Sequence, residues 1–141
     1  ERHFANDPAT AQQIELARTD IQAAIAQAAA EVPITQAKTL VAVAGTATTV
    51  AAAALNLAEY DRYSIHLARV TAAQVHEASA MFLTKNREER LTLGYMHPGR
   101  VDVIPAGALV LSEIITATGA TGFVASESDI LDGMARSLVQ G

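Results

Sequence analysis

One stretch decides the expected fold of this chain: Leu40-Val41-Ala42-Val43-Ala44-Gly45-Thr46-Ala47-Thr48-Thr49-Val50. An apolar run ends at Gly45, a cluster of threonines follows, and an alanine-rich helical pattern then begins. A short apolar run of this kind predicts a strand buried on both faces, as in a parallel sheet. Gly45 is expected to supply the tight turn, and Thr46 or Thr48 to cap the next helix.

A strand, a glycine turn and a helix N-terminus point several backbone N–H groups and the positive end of a helix dipole at one place. That geometry binds anions, phosphate above all. A βα turn with a threonine cap and no ligand has the same sequence pattern, so both interpretations stay open at this point.

Composition limits the possible functions. The chain has 141 residues, enough for one domain with a sizeable core. Ten basic and fifteen acidic residues give a net charge of −5, and the basic residues are scattered from Arg2 to Arg136, which argues against a nucleic-acid surface. Cysteine is absent, which excludes disulfides and thiolate chemistry and suits a cytoplasmic protein. No apolar stretch has the length of a membrane span, so we expect no membrane partner.

Most of the remaining pattern is helical. Asp7 and Pro8 are expected to open a first helix that ends at Pro33. Helices are also predicted over residues 47–57, from the capping box of Thr71 and Gln74, over residues 86–93, and from about residue 100 to Gly119 with a restart at Pro105. A last helix is expected after a Ser126 cap. Only two strands are predicted, Lys38–Ala44 and Gly122–Ala125, and such a pair is too small to be a stable sheet alone.

The residues alone show little catalytic chemistry. The histidines at positions 3, 66, 76 and 97 share no metal-ligand spacing, and no nucleophile elbow, Walker loop or dinucleotide fingerprint occurs. Arg100 and Asp102 suggest an ion pair or a helix cap. No carboxylate can be assigned as a general base, so we expect no catalytic residue here. The residues therefore predict a phosphate-competent half site on an α/β scaffold.

The order of the segments resembles the exopolyphosphatase / guanosine pentaphosphate phosphohydrolase (Ppx/GppA) family, from about residue 5 to residue 138. The most specific elements are the glycine–threonine junction and the Arg-x-Asp-Val-Ile-x-x-Gly-Ala pattern that begins at Arg100. The matching segments are residues 41–49, 60–61 with 65–66, 100–108, and 124–127 leading to 132–134.

The resemblance implies a two-lobed, actin-like ATPase fold built from ribonuclease-H-like lobes. Residues 1–141 are expected to form a single domain, the second lobe without its first strands: mostly helical, with a small parallel sheet. The phosphate-binding residues carried over from the family are Gly45, Thr46, Ala47, Thr48 and Thr49. The family often has a second glycine where this chain has Thr48, which restricts how closely a phosphate approaches.

The resemblance also implies a reaction, the hydrolysis of a terminal phosphoanhydride bond in polyphosphate or guanosine pentaphosphate, assisted by Mg²⁺. The general base would belong to the first lobe, so the chain alone is expected to be an inactive piece of a longer enzyme, with no metal ligands of its own. Its open sheet edges predict a homodimer. Two alternatives remain: a helical interaction or regulatory module, and the nucleotide-binding lobe of a kinase or chaperone of the same architecture.

Overall fold

A computed structural model describes residues 2–140, and a mixed three-stranded sheet lies at its centre. The strands are β1 (Val41–Val43), β2 (Arg69–Thr71) and β3 (Gly122–Ser126), in the order β1-β3-β2. β1 and β3 run parallel, as expected, whereas β2 pairs antiparallel with β3. The prediction of a purely parallel, two-stranded sheet was therefore wrong. The extended segment of β2 is too short to produce a recognisable apolar alternation.

Seven α-helices make up most of the described part of the chain. Two short 3₁₀ helices, Ile34–Gln36 and Pro98–Arg100, join them. The α-helices are α1 (Ala11–Glu31), α2 (Ala44–Ala54), α3 (Arg62–Ile65), α4 (Ala72–Thr84), α5 (Arg87–Leu91), α6 (Ile104–Thr118) and α7 (Ile130–Gln140).

One face of the sheet is buried beneath α2 and α4, and α6 packs on these two helices. Phe123 and Ala125 of β3 and Val70 of β2 point toward these helices and are at most 3 % exposed. Burial of such apolar side chains stabilises the fold by about 1.5–3 kcal/mol for each large one. The core residues that meet here on the helices include Val50, Ala51, Val75, Phe82, Ile104, Ala108 and Ile115.

The other face of the sheet is open. Val41 and Val43 of β1 are 55 % and 50 % exposed, and Val124 of β3 on the same face is only half-buried. The apolar run before Gly45 predicted a strand buried on both faces. β3 is central, but β1 lies at an edge of the sheet, so its apolar run is buried on one face only.

The start of α1 differs from the prediction. Thr10 caps the helix and forms a capping box with Gln13, so Pro8 lies before the helix. Asp7 serves another purpose, because its carboxylate pairs at 2.8 Å with the buried guanidinium of Arg90. The first turns of α1 pack inward, where Ala17 is buried and Ile14 and Ile21 pack against the same small cluster.

Three local signals in other helices are confirmed. Thr71 and Gln74 form the capping box of α4, Pro105 lies in the first turn of α6, and Gly119 ends α6 with a left-handed φ of 67°. The predicted cap of the last helix was wrong. α7 begins at Ile130, and its first turn is capped by Asp129, whose carboxylate accepts a hydrogen bond from the Leu131 N–H. Among residues 2–140, every helix is too short or too polar to cross a lipid bilayer.

Candidate functional site

The predicted phosphate site is the junction between β1 and α2. In the structure no loop separates the strand from the helix. α2 begins at Ala44, directly after β1 and three positions before the predicted start. The N-cap residue is Val43, whose side chain cannot cap, so the first-turn N–H groups have no side-chain partner. The predicted threonine cap was wrong, because Thr46 and Thr48 lie inside the helix. The Thr48 hydroxyl instead donates to the Gly45 carbonyl at 3.4 Å.

The residue with an unusual backbone conformation at this junction is Ala44, which precedes Gly45. Ala44 has a φ of 64°, in the left-handed region that costs a residue with a Cβ roughly 1–2 kcal/mol. Gly45 does not have a positive φ, so the expectation that it forms the turn was wrong. A glycine is needed there for a different reason. A Cβ on Gly45 would fall where the Arg100 guanidinium lies, so the guanidinium packs directly against the Gly45 backbone.

Arg100 is the functional candidate that sequence reasoning missed. It ends the 3₁₀ helix Pro98–Arg100 and places its half-buried guanidinium against the first turn of α2. Asp102, its expected partner, pairs instead with Arg87 at 3.0 Å. Within residues 2–140, no carboxylate lies within 4.0 Å of the Arg100 guanidinium. Only the tertiary fold joins Arg100 to Gly45, because no spacing rule connects such distant positions.

The side chains of the predicted site residues face inward. Gly45, Ala47, Thr48 and Thr49 are buried, and Thr46 is half-buried against α6. A Cβ built on Gly107 would lie 2.7 Å from Oγ1 of Thr46, which shows how closely the two helices pack. Thr48 and Thr49 are therefore almost fully buried, and Thr46 is exposed only in part. An anion at this junction would meet the backbone N–H groups of the first turn and Arg100, beside the exposed Val43 and Ala44.

A tyrosine and a carboxylate border the same place. The Tyr60 hydroxyl donates to Oε1 of Glu127 at 2.5 Å, just beyond the end of β3. Partial burial raises the pKa of Tyr60 above its usual 10.0, and the hydrogen bond to Glu127 raises it further, while Thr48 and Arg100 oppose the shift. Tyr60 therefore hydrogen-bonds Glu127 on one side and lines the same cavity as Arg100 on the other. This cavity has a volume of about 400 Å³ and is lined among others by Thr49, Tyr95, His97 and Arg100.

The histidines lie apart and have separate partners. Nδ1 of His76 lies 2.7 Å from the Ser112 hydroxyl, and Nδ1 of His66 accepts the Glu127 N–H at 3.2 Å. Nδ1 of His97 accepts the Gly99 N–H at 3.0 Å, and His3 contacts Asp20. In the part of the chain that the structure describes, no group of three or more potential ligands is placed to hold a metal ion. These residues do not fit a protein-held Mg²⁺ site.

Comparison with solved structures defines the class of protein. The fold matches an exopolyphosphatase-like protein with a TM-score of 0.91 and 35 % identity, over 99 % of this chain and 46 % of that one. It also matches the Ppx/GppA family member from Aquifex aeolicus with a TM-score of 0.84 and 22 % identity, over 98 % of this chain and 44 % of that one. The class is that of the actin-like ATPase fold of Ppx/GppA structures, and the predicted fold class is confirmed apart from the antiparallel strand.

Sequence comparison gives the family. The model of the Ppx/GppA phosphatase family matches residues 1–139. Exopolyphosphatase 2 of Mycobacterium tuberculosis is 39 % identical over 142 aligned residues, which cover 98 % of this chain and 44 % of that protein. The chain therefore belongs to the Ppx/GppA phosphatase family, as the resemblance predicted. It spans less than half the length of these relatives.

Proposed function

We propose that this chain supplies the phosphate-contacting half of a hydrolase that removes terminal phosphate from inorganic polyphosphate or guanosine pentaphosphate. The observation that carries the proposal is the arrangement at α2. An uncapped helix N-terminus and the guanidinium of Arg100, which has no ion-pair partner among the described residues, meet at Gly45. The site residues are the backbone of Gly45, Thr46, Ala47, Thr48 and Thr49, together with Arg100. Family membership supports the choice of substrate class.

The chemistry of this arrangement suits a phosphate oxygen. The N–H groups in the first turn of α2 can donate hydrogen bonds, and the helix dipole adds partial positive charge. Arg100 supplies a fixed charge and a planar set of donors that match two phosphate oxygens. In phosphoryl transfer, such fixed donors hold the substrate in line and stabilise charge on the equatorial oxygens. Glu127 and Tyr60 would border the bound anion and limit how it is oriented.

The rest of the enzyme would be supplied outside these 141 residues. We place the general base there, along with the ligands for Mg²⁺, because the described residues include no cluster suited to the ion. The chain alone is then inactive as a hydrolase and retains only phosphate binding. We further propose that the protein works in the cytoplasm as a homodimer, with no nucleic-acid or membrane partner.

Calorimetric titration of the chain with tripolyphosphate tests the proposal. Replacing Arg100 with Gln leaves a shorter but still polar side chain and removes the charge, so the affinity should fall at least about tenfold, the loss of one charge-assisted pair. Arg136→Gln is the matched control, because Arg136 lies on the exposed α7, and its affinity should be unchanged. Equal affinities in the wild-type protein and the Arg100 variant would refute the site.

A second variant and an activity assay sharpen the test. Gly45→Ala places a methyl group where the guanidinium lies, so Arg100 must move and the affinity should also fall. The chain with polyphosphate and Mg²⁺ should release no phosphate above the level of a buffer blank. Catalytic release that survives purification would show that the chain contains its own general base.

An assembly function of the helical surfaces is the second candidate. It is favoured by one observation: α7 and one face of the sheet both expose apolar side chains.

A further inference from the structure

The cavity of about 400 Å³ beside Arg100 has room for more than a phosphate group. Arg100 lines this cavity and also packs against the Gly45 backbone, so the cavity and the proposed phosphate site share the guanidinium. A ligand held by its phosphate at Gly45 would therefore have the cavity next to it. The volume is within the range of pockets that bind small organic molecules.

The other walls of the cavity are mostly aromatic and apolar. They include Thr49, Tyr60, Tyr95, Met96, His97 and Pro98. Tyr95 and Met96 are each 7 % exposed and also belong to the hydrophobic core. Aromatic and apolar walls with a few polar groups are typical of sites that bind small organic molecules.

Tyr95 has a buried hydroxyl that the described chain does not use. The residue is 7 % exposed, and burial alone, without any hydrogen bond, raises the pKa of Tyr95 above its usual 10.0. No side-chain polar atom in the described part of the chain is sealed from solvent without a partner. The Tyr95 hydroxyl therefore opens into the cavity that the residue lines, where a ligand can reach it.

Close packing joins the two segments that carry the phenol rings. A Cβ on Gly94 would collide with the Ala58 carbonyl, so the backbone just before Tyr95 lies directly against the backbone near Tyr60. These walls are therefore in place before a ligand binds. A preformed cavity lowers the entropy cost of ordering side chains around the ligand.

Charge disfavours a chain of inorganic phosphates in this cavity. Of the described residues that line it, Arg100 alone carries a fixed positive charge. Glu127 adds a negative charge nearby, because its carboxylate accepts a hydrogen bond from the Tyr60 hydroxyl at 2.5 Å. Each further phosphate of polyphosphate would bring another negative charge to a single arginine and a carboxylate. An uncharged, flat group would instead contact the phenol rings.

We propose that this cavity holds the nucleoside of a nucleoside polyphosphate, and that Tyr95 selects such a ligand over inorganic polyphosphate. The inference rests on the proposed function, because Arg100 and the first turn of α2 must hold the phosphates. Stacking of a base on an aromatic side chain increases affinity by roughly 5- to 150-fold. The base edge and the ribose hydroxyls are suitable partners for the hydroxyls of Tyr95 and Thr49.

Calorimetric titration of the chain with two ligands of equal charge tests the inference. GTP and methyl triphosphate are both triphosphate esters, and only GTP carries a nucleoside. The chain should bind GTP at least about fivefold more tightly than methyl triphosphate. Equal affinities for the two ligands would overturn the inference.

A substitution at Tyr95 tests the role of its ring. Tyr95→Leu removes the ring and the hydroxyl but keeps an apolar side chain in the core, so the affinity for GTP should fall to that for methyl triphosphate. Tyr63→Leu is the matched control, because Tyr63 is 87 % exposed and does not line the cavity. This control should keep the wild-type preference for GTP. A Tyr95→Leu chain with the same preference would refute the role of Tyr95.

Tyrosine resonances give a test that needs no substitution. The chain has three tyrosines, of which Tyr60 and Tyr95 line the cavity and Tyr63 does not. In ring-labelled protein, the ring current of the bound base should shift the resonances of Tyr60 and Tyr95, and methyl triphosphate should shift them less. Tyr63 should respond to neither ligand. Equal shifts with both ligands would show that the base does not enter the cavity.

Arg100→Gln separates a failure of this inference from a failure of the proposed function. If both are correct, the variant loses affinity for GTP and for methyl triphosphate by the same factor, at least about tenfold. The same losses, combined with a wild-type chain that does not prefer GTP, would refute the nucleoside cavity and support the phosphate site. Unchanged affinities for both ligands in Arg100→Gln would refute the phosphate site, on which the inference depends.

Discussion

The helices at the two ends of the chain, α1 and α7, differ in burial in the opposite sense to that expected from their sequences. α1 has a narrow apolar stripe and one buried residue, Ala17, yet it is held firmly against α6. α7 has the more strongly amphipathic pattern and buries nothing in the described chain. The difference shows that an amphipathic pattern indicates which face of a helix can be buried. Whether that face is buried depends on the rest of the fold.

A polar contact accounts for much of the difference. Glu113 of α6 is 4 % exposed and is held by Arg18 and Gln22 of α1, with Gln22 donating at 2.8 Å. A buried carboxylate needs such partners, since leaving it alone costs several kcal/mol. α6 therefore requires α1 to be in place. Among residues 2–140, no comparable buried carboxylate hydrogen-bonds to α7.

The largest expected effect comes from breaking this contact. Arg18→Met leaves Glu113 buried with Gln22 alone, and the free energy of unfolding should fall by about 2 kcal/mol, less than for a fully buried pair because Arg18 is partly exposed. Arg136→Met on α7 is the matched change and should have almost no effect. Urea denaturation at a concentration where the chain is monomeric measures both. Equal losses would show that α7 packs as firmly as α1.

Backbone changes should give an intermediate effect. Ala44→Gly relieves the left-handed φ at the start of α2 and should raise the free energy of unfolding by about 0.5–1 kcal/mol. Gly133 lies in α7, where a Cβ would meet nothing within 4 Å. Gly133→Ala should therefore stabilise the helical state of α7 by about 0.5–1 kcal/mol, which circular dichroism would register as higher helicity. In the monomer this gain should leave the urea midpoint unchanged. A shifted midpoint for Gly133→Ala would mean that α7 unfolds together with the core.

The smallest expected effect is a pH-dependent change in the free energy of unfolding. It involves only Asp20 of α1 and its contacts with the N-terminal segment. The hydrogen bond from His3, and then that from Arg2, lower the pKa of Asp20 below its usual 3.8. A lowered pKa stabilises the folded state above 3.8, and this contribution is lost as the pH falls through the folded-state value. Asp20→Asn should therefore be less stable than the wild-type chain near neutrality, with the gap closing in acid. A gap that persists unchanged in acid would show that ionisation of Asp20 is irrelevant.

Sequence reasoning succeeded where a signal is local. The Thr71–Gln74 capping box, Gly119 at the end of α6 and Pro105 at its start each act within one helical turn, so the residues specify them directly. The family followed from the order of such segments. Sequence reasoning failed where a local signal competes with a tertiary contact. Asp7 was expected to cap α1 but pairs with Arg90, and β2 forms because β3 offers it a partner.

The candidate site shows the same division. The glycine–threonine junction between strand and helix was recognisable in the sequence, and the structure places a helix N-terminus there. The side-chain details were wrong: the strained residue is Ala44, and the threonines cap nothing. Arg100 was expected to form an ion pair or a helix cap and was part of the family pattern, without a binding role, because its approach to Gly45 depends on how distant segments pack.

By itself, the sequence determined the helical character of the chain, the position of its strand–helix junction and its membership of the Ppx/GppA family. These features depend on sequence periodicity and on residues within a few positions of each other. A single sequence contains all of that information. Only the tertiary structure decided that Gly45 makes room for Arg100, that Glu113 fixes α1, and that α7 and one face of the sheet stay exposed within residues 2–140. Each of these is a contact, or the lack of one, between distant segments, and its free energy exists only once the chain has folded.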